Sequence, residues 1–237
     1  MPAARPLLIL LPGLDGTGLM FGPFLAALEG VDTQVVRYPS ALTSYPACLH
    51  FVRTQLPRER PFLLLGESFS GPVALALAAE RPAGLQALVL CGTFARSPRP
   101  RLARLAPLLG LLPARRLPER ILRWILLGTW ATPELVALAR AMGAEASPGA
   151  MKARLRAVAA VDHTALLARI QVPALALAGS RDRLVPRTAL GWLRAHLPGL
   201  DVVTLDGPHW LLQARPGACA QALRDFLARL RPAPTWT

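Results

Sequence analysis

The sequence is short of several residues that mark common classes of protein. Its 237 residues include three cysteines, and one lysine, Lys152, stands among 27 basic residues. The cysteines, Cys48, Cys91 and Cys219, are dispersed and odd in number, so they predict no disulfide framework and favour a reducing, cytoplasmic location. No spacing typical of zinc ligands occurs, and we expect no metal. No apolar run approaches the ~20 residues that a membrane span requires.

Acidic residues are also scarce: 14 stand against 27 basic residues, which gives a formal net charge of +13. So basic a chain raises nucleic acid or an anionic surface as a partner. With two tyrosines and seven phenylalanines, however, it is poorly supplied for stacking on bases, and no RNA-binding signature is present. We therefore expect no specific nucleic-acid partner. Hydrophobic residues make up 53% of the chain, which is typical of a globular protein.

Short apolar runs alternate with stretches of helical periodicity along most of the chain. The runs predict strands at Leu7–Leu11, Thr33–Tyr38, Phe62–Leu65, Leu85–Cys91, Ala174–Ala178 and Val202–Leu205. Helices are predicted at Phe21–Leu28, Pro46–Leu56, Pro72–Glu80, Pro186–His196 and Gly217–Leu230. This alternation predicts an α/β fold in which a six-stranded parallel sheet is covered by helices on both faces.

One segment interrupts the alternation. Residues 94–164 contain no convincing strand, only Leu, Ala and Arg at helical spacing, cut by seven prolines into short helices. We interpret this segment, called the insertion below, as a helical cap on the sheet. The predicted core is then residues 1–93 and 165–237.

The third strand runs directly into Gly66-Glu67-Ser68-Phe69-Ser70-Gly71, and a helix follows. A serine on such a sharp strand-to-helix turn has its hydroxyl exposed at the carboxyl end of the sheet, as a nucleophile needs. Small residues are required two positions before and after the serine. Gly66 satisfies this, and Ser70 stands where the pattern usually has glycine. A plain turn that opens a helix is the structural alternative.

A serine hydroxyl needs a base, and the base needs a carboxylate to orient it. His209, in the loop after the last strand, is the candidate base, whereas His196 lies at helical spacing and is interpreted as a helix-end residue. For the carboxylate we favour Asp182, directly after the fifth strand. Asp206, at the end of the sixth strand, is its rival, and Asp162 is interpreted as a helix cap.

The first strand ends in Pro12-Gly13-Leu14-Asp15-Gly16-Thr17-Gly18, called the oxyanion loop below. A glycine-rich loop here can turn backbone N–H groups toward a substrate oxygen. The predicted donors are the N–H groups of Leu14 and of Phe69, the residue after the serine. A phosphate-binding loop is the alternative, but the Lys-Ser/Thr pair of a P-loop is missing and the glycine spacing is not that of a dinucleotide site.

Taken together, the oxyanion loop, the Gly66–Gly71 turn and the loops of Asp182 and His209 resemble the α/β-hydrolase superfamily over about Leu7 to Leu230. Only six residues precede the first strand, so the antiparallel strand pair with which the family usually begins is expected to be absent. The resemblance implies cleavage of esters or thioesters by an acyl-enzyme on Ser68, without a cofactor. An acyltransferase with the same triad, or a non-catalytic binding protein on this fold, remains the alternative.

The insertion carries the only indication of the substrate. Its apolar residues predict an acyl pocket, with Trp124 and Trp130 as candidate substrate contacts, although they could equally form the insertion's own core. The other apolar candidates are Leu105, Leu108, Leu109, Leu111, Leu112, Ile125 and Leu126. Its many arginines favour an anionic carrier or an acidic membrane surface as partner, unless they form a solvated helix face. The basic residues concerned are Arg96, Arg99, Arg101, Arg104, Arg115, Arg116, Arg120 and Arg123.

Overall fold

The protein is described by a computed structural model over residues 6–99 and 119–230. Six strands form one sheet in the order β2-β1-β3-β4-β5-β6. Their bounds are β1 Leu7–Leu11, β2 Thr33–Val35, β3 Phe62–Glu67, β4 Leu85–Cys91, β5 Ala174–Gly179 and β6 Leu200–Leu205. Every neighbouring pair within this sheet is parallel. The prediction of six parallel strands is confirmed for the described residues.

Strand bounds differ from the prediction at four places, and the smallest difference is at β5, which ends one residue later than predicted, at Gly179. β2 ends at Val35 rather than Tyr38, because the Tyr38 N–H leaves the sheet and donates to the Gly16 carbonyl at 2.8 Å. β3 continues two residues further than predicted, to Glu67, and so ends directly at Ser68. β6 begins two residues earlier, at Leu200.

Helices follow the strands at the predicted places. The described α-helices are α1 Gly22–Ala27, α2 Tyr45–Thr54, α3 Gly71–Ala79, α4 Glu119–Leu126, α5 Pro133–Glu145, α6 Pro148–Ala160, α7 Arg187–His196, α8 Leu211–Ala214 and α9 Pro216–Leu230. Several helices have a side-chain N-cap and a proline in their first turn. In α2, the Ser44 side chain is the N-cap and accepts from the Ala47 N–H.

The alternation of side chains along β1 divides the core into two layers. Ile9 and Leu11 point to the face covered by α2, α3 and α7, whereas Leu8 and Leu10 point to the face covered by α1 and α9. Every residue of α3 is buried, which explains why this helix is apolar on all sides. Helices therefore cover both faces of the sheet, as predicted.

The two ends of the insertion lie side by side. The Ser97 N–H donates to the Val161 carbonyl at 2.8 Å, and the His163 N–H donates to the Ala95 carbonyl at 2.9 Å. The described part between them is helical, in α4, α5 and α6. Residues 100–118, with the candidate pocket residues Leu105 to Leu112, lie outside the described residues. The domain boundaries at 94 and 164 stay a prediction.

Over the described ranges, no helix is both long and apolar enough to cross a bilayer. The cytoplasmic location stays a prediction.

Candidate functional site

Ser68 occupies a strained turn at the carboxyl end of β3. Its φ angle is +49°, in the left-handed region, and among the described residues only Arg81 shares this property without being a glycine. An L-residue with a side chain beyond Cβ adopts this conformation at a cost, so the surroundings must hold it there. The Thr93 hydroxyl does so in part, because it donates to the Ser68 carbonyl at 2.5 Å. Such strain is the usual conformation of an exposed nucleophile on a strand-to-helix turn.

Gly66 and Gly71 are the positions near Ser68 where the turn leaves no room for a side chain. A Cβ atom at Gly66 would lie 2.8 Å from the Ala74 Cβ, and one at Gly71 would lie 1.9 Å from the Thr93 Oγ1. Both distances are too short for a side chain. The position that must lack a side chain on the far side of the turn is therefore Gly71, one residue later than in the usual pattern.

Ser70 departs from that pattern because its hydroxyl has partners. It is fully buried, it donates to the Pro12 carbonyl, and its oxygen accepts from the Tyr38 hydroxyl at 2.9 Å. These contacts join the turn at Ser68 to the oxyanion loop. A serine is thus accommodated where the pattern has glycine.

A chain of hydrogen bonds links Ser68, His209 and Asp182. The Ser68 Oγ lies 3.0 Å from the His209 Nε2, and the His209 Nδ1 lies 2.8 Å from the Asp182 Oδ2. The side chains of His209 and Asp182 are 4% and 7% exposed. Because a carboxylate can only accept, Nδ1 donates to it and Nε2 is left to accept the serine proton.

Neighbouring loops hold the imidazole and the carboxylate in place. The loop after β5 donates to the loop after β6 through the Arg181 N–H, which lies 2.9 Å from the Gly207 carbonyl. The second carboxylate oxygen of Asp182 accepts from the N–H groups of Leu184 and Val185, at 2.8 and 2.9 Å. The backbone N–H groups of its own loop therefore orient the Asp182 carboxylate independently of its hydrogen bond to His209.

The rival residues lie elsewhere. Asp206 is 64% exposed and accepts from the Ser180 hydroxyl at 2.9 Å, away from the histidine. The His196 ring ends α7 and lies 2.9 Å through Nδ1 from the Trp192 carbonyl. Asp162 accepts from the Thr164 N–H at 2.9 Å, one residue before His163, which is the N-cap of the short helical turn Thr164–Arg169 in place of the predicted Asp162. Of these candidates, Asp182 and His209 are the residues that hydrogen bonds join to Ser68.

The oxyanion loop is a tight turn beside Ser68. The Gly16 N–H donates to the Gly13 carbonyl at 3.1 Å, and the Asp15 carboxylate accepts from the Thr17 N–H at 2.8 Å. No hydrogen bond to the Leu14 N–H occurs within residues 6–99 and 119–230. The Phe69 ring is buried and stacks on Tyr45 with centroids 4.8 Å apart. The role of the Leu14 and Phe69 N–H groups as donors stays a proposal.

Trp124 and Trp130 are the two candidate substrate contacts in the insertion. Within the described residues, neither shows a contact with Ser68. The Trp124 ring is 58% exposed and lies under the Arg183 guanidinium, 4.3 Å from it. Trp130 is half-buried in a short turn after α4. Their part in an acyl pocket stays a prediction.

Sequence reasoning missed two buried ionisable residues beside this site. Glu67, next to Ser68, is buried, and burial raises its pKa to about 7 from an ordinary value of 4.5. Arg154, on α6, is 1% exposed and contacts the oxyanion loop. Neither carries a sequence signal, because glutamate is an ordinary neighbour of a nucleophile and Arg154 is one arginine among many.

Over the described ranges, no group of three or more His, Cys, Asp and Glu side chains is arranged to hold a metal ion. The hydrogen bonds around Ser68 join a hydroxyl, an imidazole and a carboxylate. This set can move a proton from a hydroxyl to an imidazole.

Comparison with known proteins supports the fold described above. A family model described as the alpha/beta hydrolase fold matches residues 37–215, which confirms the resemblance inferred from the motifs. The candidate carbamate hydrolase RutD of Variovorax paradoxus is 30% identical over an alignment that covers 97% of this chain and 94% of that protein. The pimeloyl-acyl-carrier-protein methyl ester esterase of Neisseria meningitidis is 31% identical and covers 71% of this chain and 70% of its own. Among solved structures, a hydrolase from Pseudomonas aeruginosa has a TM-score of 0.79 at 25% identity, over 94% of this chain and 90% of that one.

Proposed function

The chain belongs to the α/β-hydrolase family, and on this premise we propose that it is a serine hydrolase that cleaves ester or thioester bonds of apolar acyl substrates. The observation that carries the proposal is the chain of hydrogen bonds from the Ser68 hydroxyl through His209 to Asp182. The family contains hydrolytic enzymes, and the relatives with hydrolase or esterase names support the same class of reaction.

In the first half of the reaction, the Ser68 oxygen attacks the carbonyl carbon while its proton passes to the His209 Nε2. The negative charge that develops on the carbonyl oxygen is stabilised by the N–H groups of Leu14 and Phe69. When the tetrahedral intermediate collapses, the bond to the leaving group breaks, and the imidazolium proton is given to that alcohol or thiol. Ser68 is left as an acyl ester.

In the second half, water attacks the acyl ester and gives its proton to the neutral imidazole. The second tetrahedral intermediate expels the Ser68 oxygen, which regains the proton from His209, and the carboxylic acid leaves. Asp182 keeps Nδ1 protonated throughout and stabilises the imidazolium in both halves.

A fluorophosphonate probe tests this proposal directly, because it phosphonylates activated serines. We expect labelling of the wild-type protein, loss of labelling in Ser68→Ala, and full labelling in the control Ser180→Ala, whose hydroxyl bonds Asp206 instead. Hydrolysis of p-nitrophenyl esters should fall on the order of 10⁴-fold or more in Ser68→Ala. A folded wild-type protein that neither labels nor hydrolyses these esters would instead be a binding protein.

For the substrate, we propose an acyl group carried by an anionic carrier that docks on α4. Arg120 and Arg123 are exposed there, while the single acid of the helix, Glu119, is paired with Arg140 at 2.9 Å. Exposed Ile121 and Trp124 add apolar area between the charges. Such a mixed surface suits an acidic protein partner, and the relative from Neisseria is named for an acyl-carrier-protein ester.

The carrier proposal is tested by two substrates with the same acyl group. In Arg120→Glu/Arg123→Glu, kcat/KM should fall by at least ~10-fold for the carrier-linked ester at low salt and stay unchanged for the p-nitrophenyl ester. If the double substitution changes kcat/KM by the same factor for both substrates, carrier docking is disproved. Binding of the wild-type protein to anionic vesicles, lost in the same variant, would assign the surface to a membrane instead.

A further inference from the structure

Arg154 is a buried arginine whose hydrogen bonds converge on the oxyanion loop and on the loop after β2. It is 1% exposed, although it belongs to α6 of the insertion. The guanidinium donates to the carbonyls of Leu14 at 3.1 Å, Asp15 at 2.8 Å, Leu42 at 2.9 Å and Pro39 at 3.1 Å. In the part of the chain that is described, these hydrogen-bond partners are all backbone carbonyls. A buried cation is thus compensated by peptide dipoles rather than by a carboxylate.

Among the hydrogen bonds that hold the oxyanion loop, two sets lie on either side of the Leu14 N–H. On the side of Ser68, the Ser70 hydroxyl donates to the Pro12 carbonyl. On the side of the insertion, Arg154 holds the carbonyls of Leu14 and Asp15. Because each peptide unit is planar, fixing the units on either side leaves the intervening Gly13–Leu14 unit little freedom to rotate.

The loop is also shaped around the guanidinium. Gly16 has a φ angle of +78°, and a Cβ atom there would lie 2.2 Å from the Arg154 Nη1. The Tyr38 ring lies 5.5 Å from the Arg154 Cζ, and its hydroxyl donates to the Ser70 oxygen. Side chains from α6 and from the core therefore meet at this loop.

From this geometry we propose that Arg154 is a positioning residue for the proposed reaction. It holds the Leu14 N–H where the oxyanion forms, so that the insertion helps to build the oxyanion site. The proposal rests on the proposed serine-hydrolase function. A lysine cannot replace the arginine, because a compact ammonium cannot span four carbonyls as a planar fork does.

Steady-state kinetics with a p-nitrophenyl ester test the role in catalysis. In Arg154→Lys and Arg154→Met, kcat should fall by about 10- to 100-fold, less than when an oxyanion donor is deleted outright, while KM changes little. The control Arg156→Met changes an exposed arginine of the same helix and should behave as wild type. A trifluoromethyl ketone, which forms a charged hemiketal on Ser68, should bind Arg154→Lys more weakly by the same factor. Unchanged kcat and inhibitor affinity in both variants, or a rise in KM alone, would overturn the proposal.

Hydrogen–deuterium exchange separates this proposal from the proposed function, because it needs no activity. The amides of residues 13–18 should exchange at least ~10-fold faster in Arg154→Lys than in wild type or Arg156→Met, while α3 and β3 keep their protection. Should Arg154→Met fail to fold, Arg154→Lys carries both measurements. Unchanged exchange in a folded variant would overturn the tether whether or not the wild type hydrolyses esters. Exchange could be faster in Arg154→Lys although the wild-type protein is inactive and is not labelled by the probe. In that case Arg154 does hold the oxyanion loop, but its role in catalysis and the proposed function are both refuted.

Discussion

The Glu67 carboxyl and the Gln213 amide form a hydrogen bond in the protein interior. Glu67 is the last residue of β3 and directly precedes Ser68. The Gln213 Nε2 donates to the Glu67 Oε1 at 2.9 Å, and both side chains are buried. Burial raises the pKa of Glu67 to about 7, although the hydrogen bond from Gln213 acts in the opposite direction. Glu67 therefore keeps its proton at pH values where an exposed glutamate is charged.

This relationship predicts a pH-dependent stability. Between about pH 4.5 and 7 the unfolded chain loses the Glu67 proton while the folded protein retains it, so the free energy of unfolding falls as pH rises. At about 1.4 kcal/mol for each of the roughly 2.5 pH units, the total is about 3 kcal/mol. Denaturant unfolding at pH 5 and pH 8 should show this loss in the wild type and not in Glu67→Gln. The exposed control Glu59→Gln should follow the wild type, and parallel profiles for Glu67→Gln would refute the prediction.

Asp182 and Asp206 allow a matched test of the carboxylate. Asp182→Asn should lower kcat by ~10⁴-fold, because an amide can donate to the His209 Nδ1 and stabilise the wrong tautomer. Asp206→Asn should stay within about 2-fold of wild type, since it removes only an exposed charge. Ester hydrolysis by both purified variants measures this. Similar losses in the two variants would mean that the imidazole is oriented differently.

Because the Ser70 hydroxyl is hydrogen-bonded, we predict that replacing Ser70 by the glycine of the usual pattern destabilises the fold. Ser70→Gly and Ser70→Ala both leave the Pro12 carbonyl and the Tyr38 hydroxyl without their buried partner. Each should lower the free energy of unfolding by about 1–3 kcal/mol. A double-mutant cycle with Tyr38→Phe should show a coupling of at least about 0.5 kcal/mol. Additive losses would mean that the two hydroxyls do not interact.

Gly71 predicts a destabilisation by overpacking. In Gly71→Ala the new methyl group would meet the Thr93 side chain, which holds the Ser68 carbonyl. The free energy of unfolding should fall by about 1–3 kcal/mol, and activity should fall with it because the turn is displaced. The control Gly143→Ala lies in α5 with open space around it and should be neutral or stabilising, by up to about 1 kcal/mol. Thermal unfolding of the pair, with ester hydrolysis beside it, checks both. Equal stability of the two variants would show that Thr93 can move aside.

The sequence alone determined which segments become strands, because apolar runs as short as Leu7–Leu11 and Ala174–Ala178, in alternation with helical stretches, suit strands that are covered on both faces. It also determined Ser68 and His209 as candidates, since the turn after β3 and the loop after β6 are defined by local motifs. Phe62 to Glu67 and the following glycines specify a strand, a turn and a helix through contacts that are close in sequence. Local patterns of this kind are readable without knowing the rest of the fold.

The tertiary structure alone decided between Asp182 and Asp206, because both follow strands and only the packing of two loops shows which carboxylate faces the imidazole. It likewise showed why Ser70 replaces a glycine, and that Arg154 reaches from the insertion to the carbonyls of Leu14 and Pro39. The Ser70–Pro12 and Arg154–Pro39 contacts join residues more than 50 positions apart. Their energies depend on burial and on the direction of each hydrogen bond, and neither is encoded in the spacing of residues along the chain.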